Sequence, residues 1–211
     1  MTIRFIKKTA FSGLALLFAC ASPMMTVHKA SADYQQTQRI AALISQELPN
    51  PEGKPKKKQK VETLDVFEFA RHVVSLSRDY DIDPLLVLAI IKVESGFKPS
   101  AKSYVGAIGL MQVMPIVIRA VGSEVQVSSN AELYDPYKNV LLGIHYFTFL
   151  RDKYENNIQN ALSAYNLGPT ALDARLNRRD SVDTPYSRKV MKCYEAFQEK
   201  MHVQVAFLQI T

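Results

Sequence analysis

From about Val61 onward the apolar positions of the chain recur at helical spacing, and no stretch alternates convincingly as a half-buried strand would. Val66, Phe69, Ala70, Val73, Leu76 and Tyr80 form one stripe; Val190, Cys193, Tyr194, Phe197, Met201, Val205 and Leu208 form another. Asp83-Pro84, Asp135-Pro136 and Thr184-Pro185 repeat one helix start. In each, a capping side chain precedes a proline at the first helical position, where the missing N–H costs nothing. The pattern predicts helices over 64–80, 84–95, 110–120, 136–154, 158–166, 170–177 and 185–208, in one all-α domain over 61–211.

The predicted helix from Pro84 is apolar nearly all round (Leu85, Leu86, Val87, Leu88, Ala89, Ile90, Ile91, Val93), which places it at the domain centre. Glu94 ends it, ahead of Ser95 and Gly96. Desolvation and the negative end of the helix dipole both raise the pKa of an acid there. Lys92, two positions away, points to a different side. A carboxylic acid still protonated near neutral pH is what a general acid requires. The plainer alternative is an acid at a frayed, exposed helix end.

Ahead of this domain the pattern changes. Arg4, Lys7 and Lys8 precede the apolar run Phe11 to Ala19, the order of a secretory signal. Two processing readings compete. Cleavage after Ala30-Ser31-Ala32 would free the chain from Asp33. Leu17-Phe18-Ala19-Cys20 reads as a lipobox, which would make Cys20 a membrane anchor. Residues 1–32 are therefore expected to be a signal peptide (or a lipoprotein signal ending at Cys20), and the protein to be exported to the periplasm or cell envelope. Residues 33–60 are expected to be a flexible Lys/Pro-rich linker. A short helix over Tyr34–Leu48 is compatible with the pattern, Pro49-Asn50-Pro51-Glu52-Gly53 breaks it, and Lys54–Lys60 offers nothing to bury. Cys193, on a buried stripe, reads as a structural thiol, and no disulfide is required.

Composition sharpens this division. The formal +6 of the 211 residues splits as +4 over 1–32, +3 over 33–60 and −1 over 61–211. The basic balance thus belongs to delivery and gives no support to a nucleic-acid partner. Asp79-Tyr80-Asp81-Ile82-Asp83 opens like a calcium loop, but Pro84 and Ile90 stand where its glycine and glutamate belong. His28, His72, His145 and His202 show no metal-ligand spacing, so no metal or other cofactor is expected.

The remaining chemistry lies in three motifs: Glu94-Ser95-Gly96-Phe97, Gly106-Ala107-Ile108-Gly109-Leu110-Met111-Gln112-Val113-Met114-Pro115, and Ala164-Tyr165-Asn166-Leu167-Gly168-Pro169. Two glycines ahead of a helix allow close backbone approach to a ligand. Gln112 and Asn166 suit sugar hydroxyls and acetamido groups, and Tyr165 and the methionines offer apolar faces for pyranose rings. In order and spacing these motifs resemble the soluble lytic transglycosylases of bacterial cell walls, over about residues 64–208.

That resemblance implies a lysozyme-like α fold and cleavage of the β-1,4 bond between N-acetylmuramic acid and N-acetylglucosamine in peptidoglycan glycan strands. It puts the catalytic acid/base on Glu94, and Ser103 near the acid and the substrate's acetamido group. It sets Gln112, Met114, Tyr165 and Asn166 along the glycan groove, and makes Tyr186 the tyrosine that positions the acid. Leu167 departs from the family's common alanine. The implied reaction uses one acid and gives 1,6-anhydro ends. The alternatives are a lysozyme-type hydrolase and a non-catalytic peptidoglycan-binding scaffold. Small size is compatible with recruitment to an envelope-spanning secretion or conjugation machine, and a monomer is expected.

Overall fold

In the computed structural model, backbone is described for residues 23–48 and 64–208, and side chains for 31–48 and 64–203. The basic start of the chain, Cys20 and the Lys54–Lys60 run lie outside the described residues. Among the described residues eight α-helices follow in order: α1 (Pro23–Glu47), α2 (Val66–Asp79), α3 (Pro84–Ser95), α4 (Pro115–Val121), α5 (Pro136–Lys153), α6 (Ile158–Leu167), α7 (Pro169–Arg178) and α8 (Pro185–Leu208). Among the described residues the only β pairing is two isolated bridges, Lys102 with Ile108 and Ile108 with Val113.

The three Pro-led starts form as expected. Asp83 accepts the Leu85 amide at 2.8 Å, and Asp135 accepts those of Tyr137 and Lys138. Thr184 and Ser187 cap each other reciprocally, each side-chain oxygen taking the other's amide at 3.1 Å. α3 buries every residue from Leu85 to Ile91 and packs against α1, α2 and α8. Asp83 also accepts the Tyr194 hydroxyl at 2.6 Å, which fixes the start of α3 to α8.

Two expectations change. Residues 33–48 are not a tether, because the second half of α1 docks on the core. Ile40, Leu43 and Ile44 are fully buried, with Thr37 on the same face. Burying each such aliphatic side chain is worth about 1.5–3 kcal/mol, so a helix with only one apolar stripe is still held. Asp33 meets Arg78 of α2 at 2.6 Å. The packed domain therefore begins well before residue 61.

The helix expected over 110–120 starts only at Pro115. Gly109 and Gln112 adopt φ of +80° and +47°, which no right-handed helix can contain. The two bridges fold residues 101–113 into a tight double turn ahead of α4.

Candidate functional site

Glu94 lies in the last turn of α3, with Gly96 in the left-handed conformation closing the helix through its amide to the Lys92 carbonyl. Phe97 follows at φ +63°, held by a ring only 2% exposed. The chain leaving Glu94 is thus turned sharply and pinned. Burial raises the Glu94 carboxyl to a pKa of about 7, opposed in part by the Tyr186 hydroxyl and the Lys189 ammonium. No second carboxylate is among the groups that bear on it. Lys92 faces away as expected and contacts Glu47 at 2.9 Å.

Three of the residues singled out from sequence come together here: Glu94 from α3, Tyr165 from α6 and Tyr186 from α8. Burial and then the Glu94 charge push both tyrosines well above their ordinary range, so both phenols stay protonated at neutral pH. Tyr165 donates to the Met111 carbonyl at 2.9 Å and packs on Tyr146 and Phe147. The Tyr186 hydroxyl is buried and makes no hydrogen bond of regular geometry. It is near enough to Glu94 to favour the carboxylate, which leaves it as an available donor beside the acid.

Ser103 and Gln112 shape the double turn. Ser103 Oγ accepts the Ala107 amide at 2.9 Å. The Gln112 carboxamide nitrogen donates to the carbonyls of Gly109 (2.9 Å) and Ala101 (3.2 Å). Met114 and Asn166 stand exposed, at the start of α4 and near the end of α6. Cys193 is half-buried, and burial raises its thiol, in keeping with an inert role.

The sequence reading passed over Asn139. Fully buried on α5, it accepts the Met111 amide at 2.8 Å and donates to the Ile108 and Leu133 carbonyls at 2.9 and 2.8 Å. One carboxamide thereby fixes the glycine-rich turn to the helix behind it. Gly143, one turn further along α5, leaves the space in which Met111 sits, since a Cβ there would stand 2.5 Å from the Met111 sulfur.

Among the described residues no cluster of three or more His, Cys, Asp or Glu could hold a metal ion. No described helix is long and apolar enough to cross a membrane.

An all-helical domain that sets a single half-buried acid at the end of its central helix, against a glycine-rich turn and two half-buried tyrosines, is of the lysozyme-like kind. Solved structures agree on the fold. The lytic transglycosylase Slt of Pseudomonas aeruginosa, solved as an inactive mutant, superposes with a TM-score of 0.57 at 22% identity, covering 85% of this chain and 30% of that one. The 70-kDa soluble lytic transglycosylase of Escherichia coli gives 0.51 at 20% identity, covering 89% and 31%. Residues 73–186 match the family model described as the transglycosylase SLT domain, and the chain belongs to that family. Membrane-bound lytic murein transglycosylase C of Histophilus somni (strain 2336) is 44% identical over 105 residues, 44% of this chain and 29% of the relative. The chain thus spans about three-tenths of the length of the curated relatives it matches.

Proposed function

We propose that this protein is a lytic transglycosylase that cleaves the β-1,4 bond between N-acetylmuramic acid and N-acetylglucosamine in peptidoglycan. The observation that carries the reading is Glu94, an isolated acid with a pKa of about 7. Family membership and the relatives' names support the same activity.

Glu94 protonates the glycosidic oxygen as the C1–O4 bond breaks. Its carboxylate then takes the proton of the muramoyl C6 hydroxyl as O6 bonds to C1, giving a 1,6-anhydro end and restoring the protonated acid. No water is consumed and no second carboxylate is needed, unlike the paired-acid glycosidases. A nucleophile carried on the same sugar has a large effective molarity. Tyr186 orients the acid and steadies its charged form. Gln112, Met114, Tyr165 and Asn166 line the glycan groove, and Ser103 serves near the acid and the substrate's acetamido group. The enzyme is exported to the cell envelope, by cleavage after Ala32 or by lipidation at Cys20. There it works on the wall alone or beside an envelope-spanning machine.

The test is to digest purified peptidoglycan with the wild type and with Glu94→Gln, and to weigh the muropeptides. Products lighter by one water than reducing-end fragments are expected from the wild type, and none from the variant. Reducing ends would instead make the protein a hydrolase. No release by the wild type would leave a binding scaffold.

A further inference from the structure

We propose that Glu47 is a positioning residue for Glu94: from the end of α1 it braces α3 to α8, the two helices that carry Glu94 and Tyr186. The inference rests on the catalytic reading of Glu94.

Glu47 closes α1, and its side chain is only 12% exposed. One carboxylate oxygen meets Lys92 Nζ at 2.9 Å and the other accepts from Lys200 Nζ at 2.6 Å. Lys92 lies two residues before Glu94 on the final turn of α3. Lys200 lies on α8 and also covers the Phe197 ring, 5.7 Å from its centroid. Burial raises the Glu47 acid, but its two lysines more than offset this and hold it below the usual carboxylate range. A carboxylate shared by two ammonium groups across three helices has few alternative geometries. It therefore ties the acid-bearing last turn of α3 to α8 at Lys200, 14 residues along that helix from Tyr186. The fully buried Ile40, Leu43 and Ile44 keep α1 in place to hold it there. Glu47 and Lys200 both lie outside the residues matched by the family model, 73–186. The brace is thus supplied from beyond that core.

The experiment uses the whole chain as wild type, Glu47→Gln, Lys92→Met and the double variant. It measures kcat and KM on peptidoglycan, and the titration midpoint of the Glu94 carboxyl by ¹³C NMR. The groups that face Glu94 are Tyr186 and Lys189 from α8 and Tyr165 from α6, and all remain in every variant. The brace predicts that each single variant lowers kcat about fivefold or more with KM within twofold of wild type. It predicts that the double variant is no worse than the poorer single. It also predicts that both singles lower the Glu94 midpoint, as water reaches a loosened helix end. Charge alone predicts the opposite for Lys92→Met, because losing a nearby cation raises an acid's pKa. A raised or unmoved midpoint with Lys92→Met, or unchanged kcat, overturns the proposal. If Glu47→Gln does not fold, Glu47→Asp replaces it, its shorter arm unable to span both lysines, with the same outcomes. If the wild type releases no muropeptide, the catalytic reading fails, while the midpoints still decide the brace.

Discussion

Gly109 and Asn139 meet so closely that a Cβ on the glycine would stand 2.2 Å from the carboxamide nitrogen and 2.5 Å from the Leu133 carbonyl oxygen to which that nitrogen donates. Gly109 also holds φ at +80°, a region that costs other residues about 1–2 kcal/mol. Gly109→Ala is therefore expected to lower stability by about 2–5 kcal/mol. Gly106→Ala should lose only the backbone part, about 1–2 kcal/mol, because its φ of +93° faces open space. Urea midpoints of the two variants, compared side by side, check the difference.

Asn139→Ala strands the Met111 amide and the Leu133 carbonyl, and leaves the Ile108 carbonyl with the Val113 amide as its remaining donor. Each buried orphan costs about 1–3 kcal/mol, so a loss of about 3–5 kcal/mol is expected in thermal or urea unfolding. Asn139→Asp keeps the acceptor for Met111 but sets a carboxyl oxygen against two carbonyls. It should rescue the variant only below the pH at which that carboxyl ionises.

Glu94→Gln should be more stable than the wild type near pH 7–8. The folded acid keeps its proton to about 7, whereas the unfolded one gives it up near 4.5. The unfolded state thus binds fewer protons between those values, and wild-type stability falls as pH rises through them. The glutamine carries no such dependence. A gain of about 1–3 kcal/mol at pH 8, vanishing below about pH 4, is expected from melting temperatures across the range.

Tyr186→Phe removes the hydroxyl that favours the ionised form of Glu94. The alkaline limb of kcat against pH, set by loss of the proton from Glu94, should move to higher pH. Maximal kcat should fall about 10- to 100-fold as the acid loses its orienting partner. Because the removed hydroxyl has no regular partner in its buried site, stability should change by less than about 1 kcal/mol. A large loss of stability would show the hydroxyl to be structural instead.

The legible parts of the sequence were those in which cause and effect are neighbours. Asp83, Asp135 and Thr184 cap helices whose first residues follow them directly, and the apolar run after Pro84 declared its own burial. The place of Glu94 at the end of that run was legible in the same way, but its position left a buried acid and a frayed, exposed helix end equally open, and the structure shows it half-buried. Asn139 was not. Its partners lie 6, 28 and 31 residues earlier, and a single amide on a helix reads locally as surface. The docking of α1 was hidden differently. Its Ile40, Leu43 and Ile44 stripe is short and sits between an export-like start and a lysine run, so its burial depends on α2, α3 and α8 closing over it. The late start of α4 followed from left-handed backbone at Gly109 and Gln112. Helical spacing of apolar residues cannot report that.

The contact between Glu47 and Lys200 spans 153 residues, so the packing of the first helix, begun on α2 and α3, is completed by the last. Closing such a loop costs more entropy than forming local pairs, and it delays completion of the core. A chain synthesised from its N-terminus cannot finish this domain until the C-terminal helix has emerged. Nor can it finish while its leading helix is still engaged elsewhere. For a protein proposed to cross a membrane, that late joining of its two ends keeps the chain threadable during transit and lets it lock once both ends are on the same side.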